Sequence, residues 1–201
     1  VTQYLKKSDD KQKGLVNIWA DVPYQDLFWL GNIRELENLL TEIGLTPNTI
    51  FGYQRGIENI NKIPHAEFNL LVSPWVGLKN MKTMEKTLGI PYLHYPVLPV
   101  GATETGKFLR EVGKFANIDE GKVEAVIKKH EDYFYYLISR YADLFLENRV
   151  INKQFSVVAD AQYSLAITKF LVNDLGLTPA KQFVTDDTPK EYQEAIKAEF
   201  N

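Results

Sequence analysis

The chain has 201 residues, 45% of them hydrophobic and 24% charged, with a formal net charge of −3. That balance excludes a disordered polypeptide and leaves no broad basic surface for nucleic acid. No apolar run approaches the roughly 18 residues a membrane-crossing helix needs, and the lysine-rich start, Val1 to Gly14, lacks the apolar core of a signal peptide. With no cysteine, neither disulfides nor thiolate metal sites can form within the chain. Without an export signal, the expected compartment is the cytoplasm.

The main structural signal is an alternation of apolar runs with helical patterns. Leu15 to Trp19 reads as a first strand. Ile33, Leu36, Leu39, Leu40 and Ile43 then fall on one helical face, with Asn32 and Glu35 placed to form a capping box and Gly44 to stop the helix. Asn48 to Phe51 is the second expected strand, and Ile57 to Ile63 a short helix closed by Pro64. Phe68 to Val72 is continuously apolar apart from Asn69, as a strand covered on both faces would be. A helix from Val76 to Leu88, a strand from Pro91 to Tyr95 and a helix from Thr103 to Phe115 complete this part.

From Glu120 to Glu147 the pattern changes to one long helix, whose seam runs through Val123, Ile127, His130, Phe134, Leu137, Tyr141 and Leu144. Tyr133 to Tyr136 cluster on that helix and point around it, so some must meet another surface. A strand at Phe155 to Ala159, a helix from Tyr163 to Leu175, a short strand at Gln182 to Thr185 and a polar helix from Pro189 follow. The expected fold is α/β: a Rossmann-like three-layer parallel-sheet domain over residues 1–119, a long linking helix over 120–152, and the start of a second, incomplete α/β domain over 153–201. Two strands do not complete such a domain, so the natural chain is expected to continue beyond Asn201.

Ligands of open parallel sheets sit outside the carboxyl ends of the strands. In this chain those ends are Trp19–Asp21, Gly52–Tyr53, Ser73–Trp75 and Pro96–Gly101. Gly101 to Phe108, GATETGKF, matches a phosphate loop except at its last position, where Phe108 replaces the hydroxyl that would hold magnesium. The favoured reading is instead a loop and a helix with Thr103 as N-cap and Phe108 and Leu109 packed inward. His65, His94 and His130 have no ligand-like spacing, and His94, near a strand end, is the better functional candidate among them. Trp75 can line a pocket or anchor a partner. Asp160 sits at the equivalent strand end of the second unit, where capping of the next helix is the simpler role.

The order of these segments resembles the nitrogenase component 1 family. The resemblance is carried by Gly14 to Ile18 before Arg34-Glu35-Leu36, by Ala66 to Trp75, and by Gly89-Ile90-Pro91-Tyr92. Pro96 through Gly101 and Thr103 to Arg110 continue it, and Val157 to Asp160 with Phe170-Leu171 and Asp174 to Leu177 resemble the start of the family's third domain. The resemblance implies a two-subunit, ATP-driven reductase in which α-like and β-like chains hold iron–sulfur or iron–molybdenum-type clusters. Such systems receive electrons from a separate ATP-dependent iron protein, and members reduce dinitrogen, assemble the cofactor, or reduce tetrapyrrole rings. In α-like chains the strand equivalent to Phe68–Val72 ends near a cluster-ligating cysteine, whereas here Ser73-Pro74 follows, which is similar to the β-like pattern. Ala159-Asp160 likewise resembles a Gly-Asp of β-like chains.

The resulting expectation is a central fragment of a β-like subunit, with an α-like partner and an iron protein. It would hold no cofactor, metal ligand or catalytic residue of its own and be inactive alone. Ser73, Trp75, Gly101, Thr103 and Asp160 are its candidate pocket-lining residues, in shaping and hydrogen-bonding roles. Two other classes fit the same pattern: a periplasmic-type binding module for a haem, cobalamin or metal chelate, and a non-catalytic subunit-interaction scaffold.

Overall fold

The computed structural model of the chain describes residues 4–20, 23, 25–52, 54–141 and 153–200. They form two compact units, the first made of residues 1–96 with 115–117, the second of 97–114 with 118–201.

In the first unit, strands β1 (Gln12–Trp19), β2 (Thr46–Asn48), β3 (Ala66–Val72) and β4 (Tyr92–Tyr95) form one sheet in the order β2-β1-β3-β4. Every neighbouring pair is parallel, as the strand–helix alternation predicts. The connections carry helices α1 (Trp29–Glu42), α2 (Ile57–Lys62) and α3 (Leu78–Leu88). Val16, Leu70 and Val72 are 0% exposed, the double-sided burial that makes a parallel strand read as a continuous apolar run. Strand order reverses direction between β1 and β3, so the topological switch point lies at their carboxyl ends.

Two expectations about this unit shift. Helix α1 starts at Trp29, a turn before the predicted capping box, behind Phe28, whose N–H donates to Asp26 Oδ1 at 2.6 Å. With the backbone already helical there, Asn32 is an interior residue, and Glu35 reaches Asn38 instead. Strand β2 ends at Asn48 rather than beginning there, because Thr46, Pro47 and Asn48 are the residues in register with Leu15, Val16 and Asn17.

The second unit contains α4 (Gly101–Phe115) up to Lys114, α5 (Glu120–Arg140), β5 (Gln154–Phe155), β6 (Val158–Ala159), α6 (Ala161–Asn173), β7 (Thr178–Pro179), β8 (Phe183–Val184) and α7 (Lys190–Glu199). The apolar run expected as one strand is split. β5 pairs with β7 and β6 with β8, both parallel, and between them the Val157 N–H leaves the ladder to donate to Gln182 Oε1 at 2.8 Å. β7 escapes detection in the sequence because Pro179 cannot donate to a ladder and two residues carry no periodicity. Asp119 caps α5 by accepting the Lys122 N–H. Val123 and Ile127 are buried, and Phe134 meets Phe170 of α6 edge to face at 6.4 Å. The seam then runs out: Leu137 is 37% and Tyr141 55% exposed, and its expected continuation to Glu147 lies outside the described residues.

Helices α4 and α5 are also joined by a bidentate ion pair, Arg110 Nε and Nη2 donating to Glu124 Oε1 and Oε2 at 2.6 and 2.8 Å. The hydrogen bond from Arg110 and then its charge hold the Glu124 carboxyl below its ordinary value, against an opposing effect of burial. A depressed carboxylate contributes stability above its ordinary range and loses it as pH falls through the folded value. NMR titration should therefore find Glu124 protonating at lower pH than the free side chain, and Arg110→Ala should return it to the ordinary range. An unshifted Glu124 in the unsubstituted chain would contradict the pairing.

Candidate functional site

The carboxyl edge of the first unit's sheet rests on an unexpected buried structure. Asn48, Asn17 and Asn69 stand side by side across β2, β1 and β3 and are 2%, 1% and 0% exposed. Asn48 Nδ2 donates to Asn17 Oδ1 at 2.8 Å, and Asn17 Nδ2 to Asn69 Oδ1 at 2.9 Å. The outer amide is closed by Asn59 of α2, which donates to Asn48 Oδ1 and accepts from Asn48 Nδ2 through its carbonyl. Asn17 Nδ2 also donates to the Ile63 carbonyl, and the half-buried indole of Trp19, at the end of β1, donates to Asn69 Oδ1 at 3.0 Å. Such a row is stable only when its members satisfy one another, because each unpaired amide would cost its full desolvation. One donor of the row is left over: Asn69 Nδ2 is buried with no partner among the described residues. Since Asn69 Oδ1 already accepts two bonds, reversing the amide would break both.

Ser73 lies beyond the end of β3, on the same face as Asn69 by strand alternation. It is 1% exposed and its N–H donates to the Tyr95 carbonyl. His94 Nε2 contacts the Ser73 carbonyl at 2.8 Å, which gives that histidine a holding role. The Ser73 hydroxyl, by contrast, is buried without a hydrogen-bond partner among the described residues. Trp75 follows in the turn, half-buried, its carbonyl accepting the Leu78 N–H. Asp21 and Tyr53, expected on the same rim, lie outside the described residues.

In the second unit, Gly101 and Thr103 share one partner. Helix α4 begins at Gly101, so Thr103 is in its first turn and is not the N-cap. The cap comes from Asp174, whose Oδ1 accepts the Thr103 N–H at 3.1 Å and its hydroxyl at 2.8 Å. A carboxylate at a helix N-terminus meets unpaired amides and the positive end of the dipole, the place a phosphate would take. Here the chain's own Asp174 occupies it, while Phe108 and Leu109 are 0% exposed as the loop-and-helix reading predicts. Gly101 has φ +82°, and a Cβ there would overlap Asp174 Oδ2 and lie 2.5 Å from Phe170 Cδ2. Asp160 caps α6 by accepting the Tyr163 N–H at 2.8 Å.

Of the five candidates, then, Ser73 and Trp75 lie in one turn of the first unit, Gly101 and Thr103 around Asp174 in the second, and Asp160 is engaged at the start of its own helix. The asparagine row is not among the residues the sequence singles out, and Trp19 is named there only as the end of the first strand. The signal was present, since Asn17 and Asn69 each interrupt an apolar strand, where an amide needs a buried partner.

A family model described as nitrogenase component 1 type oxidoreductase matches residues 1–201. The B subunit of light-independent protochlorophyllide reductase from Angiopteris evecta is 27% identical over 189 residues, 88% of this chain and 36% of that protein. Its counterpart from Staurastrum punctulatum is 29% identical over 194 residues, covering 88% and 37%. The chain thus spans little more than a third of the curated relatives it matches. Among solved structures, nitrogenase Cp1 at pH 6.5 superposes with a TM-score of 0.67 at 17% identity, over 94% of this chain and 36% of that one. Nitrogenase Cp1 at pH 5 gives 0.62 at 15% identity, over 96% and 40%. These two likenesses establish the fold.

Full-length members of this family bind metal clusters. The donor set of this chain does not fit such a cluster: it has no cysteine, and among the described residues no three His, Asp or Glu side chains converge. No chemical step is therefore assigned to a cluster on these residues.

Proposed function

Because this chain belongs to the nitrogenase component 1 family of oxidoreductases, we propose that it forms the central part of a β-like subunit of a nitrogenase-like reductase. The whole protein would work with an α-like partner subunit and an ATP-dependent iron protein as electron donor for a reducible substrate, and any cluster ligands would come from outside these residues, which carry no cysteine. Substrates of the conjugated tetrapyrrole type come first, since the curated relatives are protochlorophyllide reductase B subunits. The role of this segment is to shape and to orient. His94 and Tyr95 hold the backbone of Ser73 at the end of β3, and the asparagine row holds Trp19 at the end of β1. The observation that carries the reading is the buried, unpartnered Ser73 hydroxyl beside the switch point, where parallel sheets present groups to ligands. The Ser-Pro that follows β3, in place of a ligating cysteine, supports the β-like assignment.

The test uses the full-length protein, purified anaerobically with its α-like partner and iron protein and supplied with ATP and dithionite. ATP-dependent reduction of protochlorophyllide is expected. Ser73→Ala should leave unfolding within about 1 kcal/mol, because no hydrogen bond is lost, while lowering kcat/KM about tenfold. Absence of ATP-dependent turnover would overturn the reductase reading. Unchanged kinetics in Ser73→Ala would remove Ser73 from the site.

A further inference from the structure

His94 holds the Ser73 carbonyl through Nε2 and leaves its other ring nitrogen unused. Its place in the sheet gives that nitrogen a context. Trp19 of β1 is in register with Leu71 of β3, and Leu71 with His94 of β4. Paired residues of parallel strands share a face, so Trp19 and His94 flank Leu71 in one row, with their Cα atoms about 10 Å apart. Ser73 lies two residues beyond Leu71 and so on the same face. The half-buried imidazole therefore belongs to the edge that carries the Trp19 indole and the buried Ser73 hydroxyl.

The bond to Ser73 decides where on the ring a proton can come and go. The Ser73 carbonyl, 2.8 Å from Nε2, can only accept, so Nε2 carries a hydrogen whether the ring is neutral or charged. Gain and loss of a proton are thereby confined to Nδ1, which has no partner among the described residues. The same bond fixes the orientation of the ring. Among the described residues at the carboxyl ends of β1 to β4, no other side chain is of a type that exchanges protons near neutral pH.

We propose that His94 is a proton donor to the substrate bound at this edge, an inference that rests on the reductase reading and adds to it. Reduction of a conjugated double bond takes two electrons and two protons. The electrons come from the ATP-dependent iron protein; His94 supplies one proton and water the other. In the His94 step the Nδ1–H bond breaks, a C–H bond forms on the substrate, and the neutral imidazole regains its proton from water. The test uses the full-length protein with its α-like partner and iron protein, ATP and dithionite, and protochlorophyllide as substrate. His94→Gln keeps an N–H for the Ser73 carbonyl but carries no exchangeable acid. It should lower kcat about 100-fold and leave KM within about twofold, while ATP hydrolysis by the iron protein continues. His94→Ala should be slowed at least as much, and free imidazole should restore its kcat about tenfold, which it could not do for a misfolded chain. A kcat for His94→Gln within about threefold of the unsubstituted complex, reduction and ATP hydrolysis falling together, or a His94→Ala loss that imidazole does not restore would each overturn the proposal and leave His94 its holding role. An unsubstituted complex with no turnover would overturn the reductase reading itself, and the proposal with it.

Discussion

Replacing Gly101 with alanine should destabilise the second unit by about 3 kcal/mol or more, measured by urea unfolding with the loss of α4 helicity as the signal. Two costs combine. The backbone at Gly101 has φ +82°, a region that an L side chain enters at about 1–2 kcal/mol. The added methyl would also overlap the Asp174 carboxylate and lie 2.5 Å from the Phe170 ring, closer than either can accept. Asp174 cannot withdraw freely, because it accepts both the Thr103 N–H and hydroxyl and caps the helix in doing so. The two costs can be separated. In an Asp174→Ala background the carboxylate is gone, so Gly101→Ala should cost about 1 kcal/mol less than in the unsubstituted chain. Phe170 and the backbone conformation account for what remains. A Gly101→Ala chain that unfolds within about 0.5 kcal/mol of the original would show that the helix start relaxes and that the glycine is not required.

Asn17→Ala should cost about 2–4 kcal/mol of stability in the first unit. Asn17 is the middle of the row, accepting from Asn48 and donating to both Asn69 and the Ile63 carbonyl. Its removal leaves the Ile63 carbonyl without that donor and opens space in a sheet interior that is 1% exposed at this position. The effect should be shared with Asn48. In a double-mutant cycle of Asn17→Ala and Asn48→Ala, the two losses should fall short of additivity by about 1 kcal/mol, because the second substitution removes a bond the first has already broken. Trp19 provides an independent reading of the same network. Its indole donates to Asn69 Oδ1, and that acceptor loses its other donor in Asn17→Ala, so the indole N–H resonance should shift. Additive losses with an unmoved indole would mean that the amides act separately.

The strand and helix order was legible in the residues because the longer elements of the first unit, such as β1, β3, α1 and α3, repeat their burial pattern, whereas three-residue β2 does not and its bounds shifted. β3 shows this best: Phe68 to Val72 is apolar on both faces apart from Asn69, and it lies inside the parallel sheet. Helix α3 was legible for a second reason, since Gly89 ends it with φ +66° as a left-handed cap. Legibility fell where elements shrink to two residues. In β5 to β8 no period can be counted, and the pairing is set by contacts such as Gln182 Oε1 taking the Val157 N–H. The candidate site was legible only by position. Strand order in the chain placed Ser73 at an edge, but that its hydroxyl is buried without a partner is a property of packing.

From the amino-acid sequence alone follow the α/β class, the parallel direction of the first unit's strands, and the inability of the chain to hold a cluster through thiolates. These depend on periodicity and composition, which are local or additive. The tertiary structure decided that three asparagines in separate strands would bond to one another in a row, and that Asp174, 71 residues from Thr103, would occupy the start of the helix that carries the GATETGKF segment. Hydrogen bonds between residues so far apart leave no periodic trace in the chain. They exist only once packing has excluded water, which makes a partner inside the protein valuable to a buried polar group and makes the exceptions among the described residues, such as the Ser73 hydroxyl, stand out.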